Sequence, residues 1–416
     1  MKKRLLCFTM LLTVTISAIT FTNNVKAATK WNTNKSVTKE ENGIKYSAYL
    51  TEDGKESWIY QIKLSKKITK LTLPKEINQA KLTRVGFGKE LYNKGEDEDA
   101  YQNLFGDTIE PWHNCYGDLS NDDKNKQTIE TVAIPATVNQ LEIATFSGMK
   151  KLKSVVIPEQ TASVPAYTFA KCSALSKVTF SKNMNEIDST AFVKSNQVKT
   201  FSCPKANKTF AVKKGMLTTR SGKTLVLVPN KMKKLTIPSS VKEIKANALN
   251  GSQATSIVIP KSVKKIGAKA LESKKITKVS LSSKNKTYKM ANNCIYRKSN
   301  GTLTAVLVKT KKITIPSKVK VIDDTVSVMG KIGTKNQVHI PKSVKKVVED
   351  WMFFGDSATV YFHGTKPPVI VSKFKGNEFT ALPIFNKVYV PKKAKKTYIK
   401  WAKDRDGLKW NNLHTF

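Results

Sequence analysis

The chain has 416 residues and is 40% hydrophobic, with unremarkable glycine and proline counts, which excludes global disorder and allows several average domains or one long repetitive one. Lysine and arginine number 73 against 31 aspartates and glutamates, a formal net charge of +42. A field of that size favours anionic partners (wall polymers, acidic glycans, nucleic acid, anionic headgroups) and says nothing about fold.

In chain order, residues 1–27 have the pattern of a secretion signal. "MKKR" is a positive start, Leu5 to Ile19 is a short apolar run rich in Thr and Ser, and "VKA" puts small residues around a cleavage site after Ala27. The apolar run is too short for a membrane span, and no later run is long enough for one. The expectation is a secreted protein, extracellular or held on a bacterial surface by non-covalent, electrostatic contact. Residues 28–64 are read as an N-terminal β-hairpin cap, with "IKYSAYL" and "SWIYQIKL" around an Asp-Gly turn.

Between residues 93 and 127 the charge reverses, in "GEDEDAYQNLFGDTIEPWHNCYGDLSNDDKNK". A calcium loop needs oxygen ligands at ordered spacing, and "EDED" lacks it, so the segment is read as a solvated acidic loop. His113 and Cys115 lie two apart but lack a third orienting group. Of the cysteines beyond residue 27, Cys115, Cys172, Cys203 and Cys294 are too widely spaced for a zinc site or a disulfide framework. Cys172 and Cys203 fall at expected core positions.

A short word then recurs from residue 70 to 391: "KLTLP", "TVAIP", "SVVIP", "KVTFS", "TFSCP", "KLTIP", "SIVIP", "KVSLS", "KITIP", "QVHIP", "TVYFH" and "KVYVP". It returns every 23 residues from Thr131 through Ser154 and Lys177 to Thr200, and every 22 from Lys234 through Ser256 to Lys278. Each word alternates with period two, so pairs such as Val155/Ile157 and Ile257/Ile259 point inward. Proline ends the strand because it has no N–H to donate. Ile187, Ile244, Ile266 and Ile322 supply a second apolar beat, and Phe146, Phe169, Phe192, Leu249 and Leu271 a third. One such unit cannot bury its apolar side alone, whereas stacked copies share a core. Two longer gaps, at 207–230 and 286–309, each contain two strand-like runs around Ser-Gly or Asn-Gly and are read as β-hairpin insertions. Residues 392–416 are read as a C-terminal cap with a short basic helix carrying Ala394, Tyr398 and Trp401, an amphipathic membrane-surface helix being the alternative.

"TIETVAIPATVNQLEIATFSGMKKL", "KLKSVVIPEQTASVPAYTFAKCSAL" and "KVTFSKNMNEIDSTAFVKSNQV" resemble the BspA-type leucine-rich-repeat family of bacterial surface proteins. The resemblance spans about 65–391 and puts Cys172 at the family's core cysteine position; Leu249 and Leu271 replace its Phe in later copies. It implies an α/β solenoid: a leucine-rich-repeat stack of short parallel strands with short helical or irregular return segments, β-hairpin insertions and capped ends. It also implies that the strand ladder lines a concave face, and that the protein is a secreted or wall-associated binding scaffold.

The outward residues of the words carry the functional expectation. The residue before the first inward position includes Lys177, Lys234, Lys278, Lys312 and Lys387 and is never acidic from Thr131 onward; the outward residue between the apolar pair includes His339, Tyr361 and Tyr389. Lys261, Lys264, Lys265, Lys342, Lys345 and Lys346 follow the strands and are expected to form one basic rim on the turn. The reading is a non-enzymatic scaffold that attaches through this surface to teichoic acid, acidic glycans or matrix, with host proteins as further partners. Extracellular nucleic acid is the alternative ligand. Acids such as Glu186, Asp188, Asp323 and Asp324 are scattered without partners, and no nucleophile elbow, metal-binding helix or phosphate loop appears. A secreted enzyme is the weakest reading; no catalytic residue, cofactor or metal site is assigned.

Overall fold

The computed structural model describes residues 29–88, 101–102, 108–109, 125–348, 358–371, 387–403 and 413–416. The expected signal segment with Ala27, and most of the acidic insertion with His113 and Cys115, lie outside the described residues.

The repeated words form parallel strands in register. With one further strand at the C-terminal end, they make three sheets of five, three and five strands. The first joins Lys70–Thr72, Thr131–Ala133, Ser154–Val156, Lys177–Thr179 and Thr200–Ser202; the second Lys234–Thr236, Ser256–Ile259 and Lys278–Leu281. The third joins Lys312–Thr314, Gln337–Ile340, Thr359–Phe362, Lys387–Val390 and Leu413–Thr415. The fold is therefore the expected solenoid, but its ladder is cut twice, at the two hairpin insertions.

A second, shorter ladder follows each proline turn. Ser163–Val164 pairs with Glu186–Ile187, Glu243–Ile244 with Lys265–Ile266, and Lys346–Val348 lies between Val321–Ile322 and Val369–Val371, all parallel. Its inward residues include the second apolar beat: Ile187, Ile244, Ile266 and Ile322 are all buried.

The return path is made of turns, and the α-helix among the described residues is Lys395–Lys403. Backbone bonds run from turn to turn instead: Phe146 N–H donates to Thr168 O at 2.9 Å and Phe169 N–H to Ala191 O at 2.8 Å. That offset stacks Phe146 on Phe169 (centroids 5.5 Å, 13°) and Phe169 on Phe192 (5.7 Å, 8°), all fully buried. Cys172 lies beneath them, its thiol bonded to Phe146 O at 3.2 Å and pushed up to about 12 by burial. Cys294 is also buried, whereas Cys203 is only half-buried; all three are free thiols.

The hairpin insertions are interleaved with the core. Phe210–Lys213, Met216–Thr219 and Thr224–Leu227 form the first; Tyr288–Ala291, Cys294–Arg297 and Leu303–Leu307 form the second. Alternation sends neighbouring residues into different cores: Cys294 and Tyr296 join the C-terminal one, Ile295 between them the central one. Each insertion is bracketed by a buried asparagine. Asn207 Nδ2 donates to Ser181 O and Met184 O at 2.9 and 2.8 Å, and its Oδ1 accepts from Thr209 and Phe210 N–H. Asn285 repeats all four bonds, to Pro260 O and Val263 O and from Thr287 and Tyr288.

At the N-terminal end the sheet begins one strand earlier than the expected hairpin. Trp31–Glu41 pairs antiparallel with Ile44–Thr51, and Ala80–Val85 then joins Glu56–Leu64 in parallel. At the other end the helix places Tyr398 and Trp401 against Phe362 (5.3 and 6.1 Å), and Tyr398 Oη donates to Gly364 O. Tyr398 is buried in the C-terminal core and Trp401 is partly buried against it.

Candidate functional site

Strand register fixes what the ladder presents. One outward column reads Lys70, Thr131, Ser154, Lys177 and Thr200 in the first sheet, then Lys234, Ser256 and Lys278, then Lys312, Gln337, Thr359 and Lys387. No carboxylate interrupts it among the described residues. Lys177, Lys234, Lys278, Lys312 and Lys387 are exposed and form no ion pair among the described residues. Strands stand about 4.8 Å apart, so Lys234 and Lys278, two rungs apart, are separated by about 10 Å along the ladder.

The neighbouring outward column changes along its length. In the first two sheets it holds Ala133, Val156, Thr179, Ser202, Thr236, Val258 and Ser280, with Val156 63% exposed. In the first sheet the only column lysine of candidate status is Lys177, so the N-terminal part of this face is more apolar and hydroxylated than the composition suggests. In the third sheet the column becomes aromatic. His339 stacks on Tyr361 (4.4 Å, 4°), Tyr361 on Tyr389 (4.6 Å, 10°) and Tyr389 on His414 (5.0 Å, 27°). The rings follow the rung spacing, so their faces cover one another, and His339 Nε2 is buried in the stack.

Beside this stack, His339 Nδ1 and His363 Nε2 share a hydrogen bond at 2.9 Å. Burial, then the Lys312 charge, then His363 pull His339 down to about 4; burial and Lys312 lower His363 as well. Both imidazoles are therefore neutral at pH 7. Phe416 leans over Tyr361 and His363 at 6.1 and 5.2 Å. His363, His414 and Phe416 were not legible as site residues: His363 sits where other words place proline, and the last strand carries no repeat word.

The expected single rim divides. Lys261 and Lys342 lie on the turn after proline, and Lys264 and Lys345 are bound through their backbone N–H groups to Lys242 O and Lys320 O. Lys265 and Lys346 are not on the turn; they open strands of the second ladder. That ladder also carries Glu186 and Glu243, and Lys265 Nζ pairs with Glu243 at 2.8 Å. Other acids cap turns: Asp188 accepts from Thr190 N–H at 2.7 Å and Asp323 from Thr325 N–H at 3.0 Å. No cluster of three metal-ligating side chains occurs among the described residues.

The repeat geometry meets its sequence counterpart in six copies of the BspA-type leucine-rich-repeat region, over residues 124–214 and 229–359. The chain belongs to the BspA-type leucine-rich-repeat family. Repeats of this family typically build binding scaffolds. No curated protein matches the chain. Among solved structures, it is similar to a leucine-rich cell surface protein from Faecalibacterium prausnitzii (14% identity, 84% of this chain and 98% of that one, TM-score 0.36). It is likewise similar to a leucine-rich-repeat protein from Eubacterium ventriosum (13%, 86% and 94%, 0.39) and to the pneumococcal vaccine antigen PcpA (16%, 91% and 97%, 0.38). No helix among the described residues is long and apolar enough to cross a membrane.

Proposed function

We propose that this family member is a secreted, surface-associated binding scaffold, without catalytic activity, that attaches through the first outward column to anionic polymers such as teichoic acid, acidic glycans or matrix. One observation carries the reading: across twelve rungs that column offers lysines, hydroxyls and one amide, and no carboxylate. Lysine is a point charge without bidentate geometry, which suits a tolerant grip on repeating phosphate, sulfate or carboxylate. The second ladder contributes less, since Glu243 neutralises Lys265.

Nucleic acid is the competing ligand class. Single-stranded bases need free aromatic faces to stack on, and here the faces of Tyr361 and Tyr389 are covered by neighbouring rings. The test immobilises dextran sulfate, neutral dextran and single-stranded DNA and measures binding of the mature chain. Retention on dextran sulfate, absence from dextran and displacement by teichoic acid ahead of DNA are expected. Equal binding to dextran, or preference for DNA, would refute the proposal. Salt-washing producing cells should release the protein from the pellet.

A further inference from the structure

The N-terminal sheet does more than cover the end of the stack. Where it meets the first rung it leaves a cleft of about 840 Å³, within the size range of small-molecule sites. Tyr46 spans the junction, its hydroxyl donating to Thr72 O at 3.0 Å. Gly43, in a left-handed turn, has its carbonyl bound by both the N–H and Oγ of Ser65 at 3.0 Å. The Lys66 side chain runs across this glycine: a Cβ added there would stand 3.1 Å from Lys66 Cε.

Lys39, Lys66, Lys70 and Lys75 line the cleft together with Glu41 and Glu76. Lys39 is matched by Glu41 at 3.3 Å. Lys66, Lys70 and Lys75 make no ion pair among the described residues, so three ammonium groups face one carboxylate. Ile44, Ile68 and Leu73 form apolar wall, and such walls focus the field of the charges they enclose. Three point charges carried on one short stretch through the first rung suit an oxyanion with several acceptor oxygens.

We propose that this junction is a discrete anion site for a compact phosphorylated ligand, a phosphate or pyrophosphate group free or at the end of a polymer. It goes beyond the ladder reading, because it takes one ligand in a fixed place where the ladder meets repeating charge. The probe is inorganic pyrophosphate, titrated calorimetrically into the mature chain at low salt. One saturable site is expected. The K66Q/K75Q variant, which spares Lys70 of the outward column, should weaken it about tenfold or more, whereas K177Q/K234Q/K278Q on the ladder should leave it unchanged. Lys66 and Lys75 are exposed, so the variant should keep its unfolding midpoint, checked by circular dichroism. A wild-type chain without saturable binding, a cleft variant that binds like wild type, or a ladder variant that loses as much would each overturn the proposal. Loss of dextran sulfate binding in the ladder variant with pyrophosphate binding intact would support it and separate the two sites.

Discussion

Replacing the five column lysines from Lys177 onward, of the six in the column, tests whether position or bulk charge governs polymer binding. In K177Q/K234Q/K278Q/K312Q/K387Q, five charges are removed from a formal +42. If the whole field of 73 basic residues did the gripping, losing about an eighth of the net charge should change affinity modestly. If the column makes the contacts, each lost lysine removes one counterion-releasing site. At about 0.7 per contact for a flexible polyanion, the slope of log affinity against log salt should fall by about 3.5. All five side chains are exposed and unpaired among the described residues, so stability should stay within about 0.5 kcal/mol. The assay is dextran sulfate binding across a salt series, with thermal melts as the control. An unchanged slope would refute the column as the contact surface.

Phe169→Ala removes the middle ring of a buried three-ring stack and should cost about 3–5 kcal/mol in urea unfolding. Asn207→Ala breaks four hydrogen bonds at a buried site; on the order of 3 kcal/mol should be lost, and Asn285→Ala should match it. The His339–His363 pair sets a pH dependence. The unfolded imidazoles take up protons near the ordinary value of 6.5, whereas folded His339 does so only at about 4. The unfolded chain binds more protons in between, so stability is complete above that window and declines as pH falls from 6.5 toward about 4. H339N/H363N should flatten that decline in thermal melts.

Much of the solenoid could be read from its words because they satisfy two requirements at once: an apolar pair at period two, and a residue that ends the strand. The same logic identified the inward positions of the second ladder from Ile187, Ile244, Ile266 and Ile322. It misplaced Lys265 and Lys346, because strands of two or three residues are too short for alternation to distinguish them from a turn. Trp31–Glu41 escaped notice because "NTNKSVTKEE" has no apolar alternation; it is an edge strand held by backbone pairing with Ile44–Thr51. The lysine column was legible since register repeats it. The imidazole pair and Phe416 were not: their meeting depends on a final strand, Leu413–Thr415, docking beside Lys387–Val390 from outside the repeat. The cleft likewise joins residues from the cap and the first rung, which no single-segment pattern brings together.

The matched asparagine brackets give the chain interchangeable seams. Asn207 meets the carbonyls of Ser181 and Met184, and Asn285 meets those of Pro260 and Val263, at equivalent places in their turns. The stretch from one bracket to the next, a two-sided hairpin followed by three rungs, therefore begins and ends on the same joint. Such a cassette can be duplicated or excised without redesigning either neighbour, so proteins built this way can vary their reach while keeping both end pieces fixed.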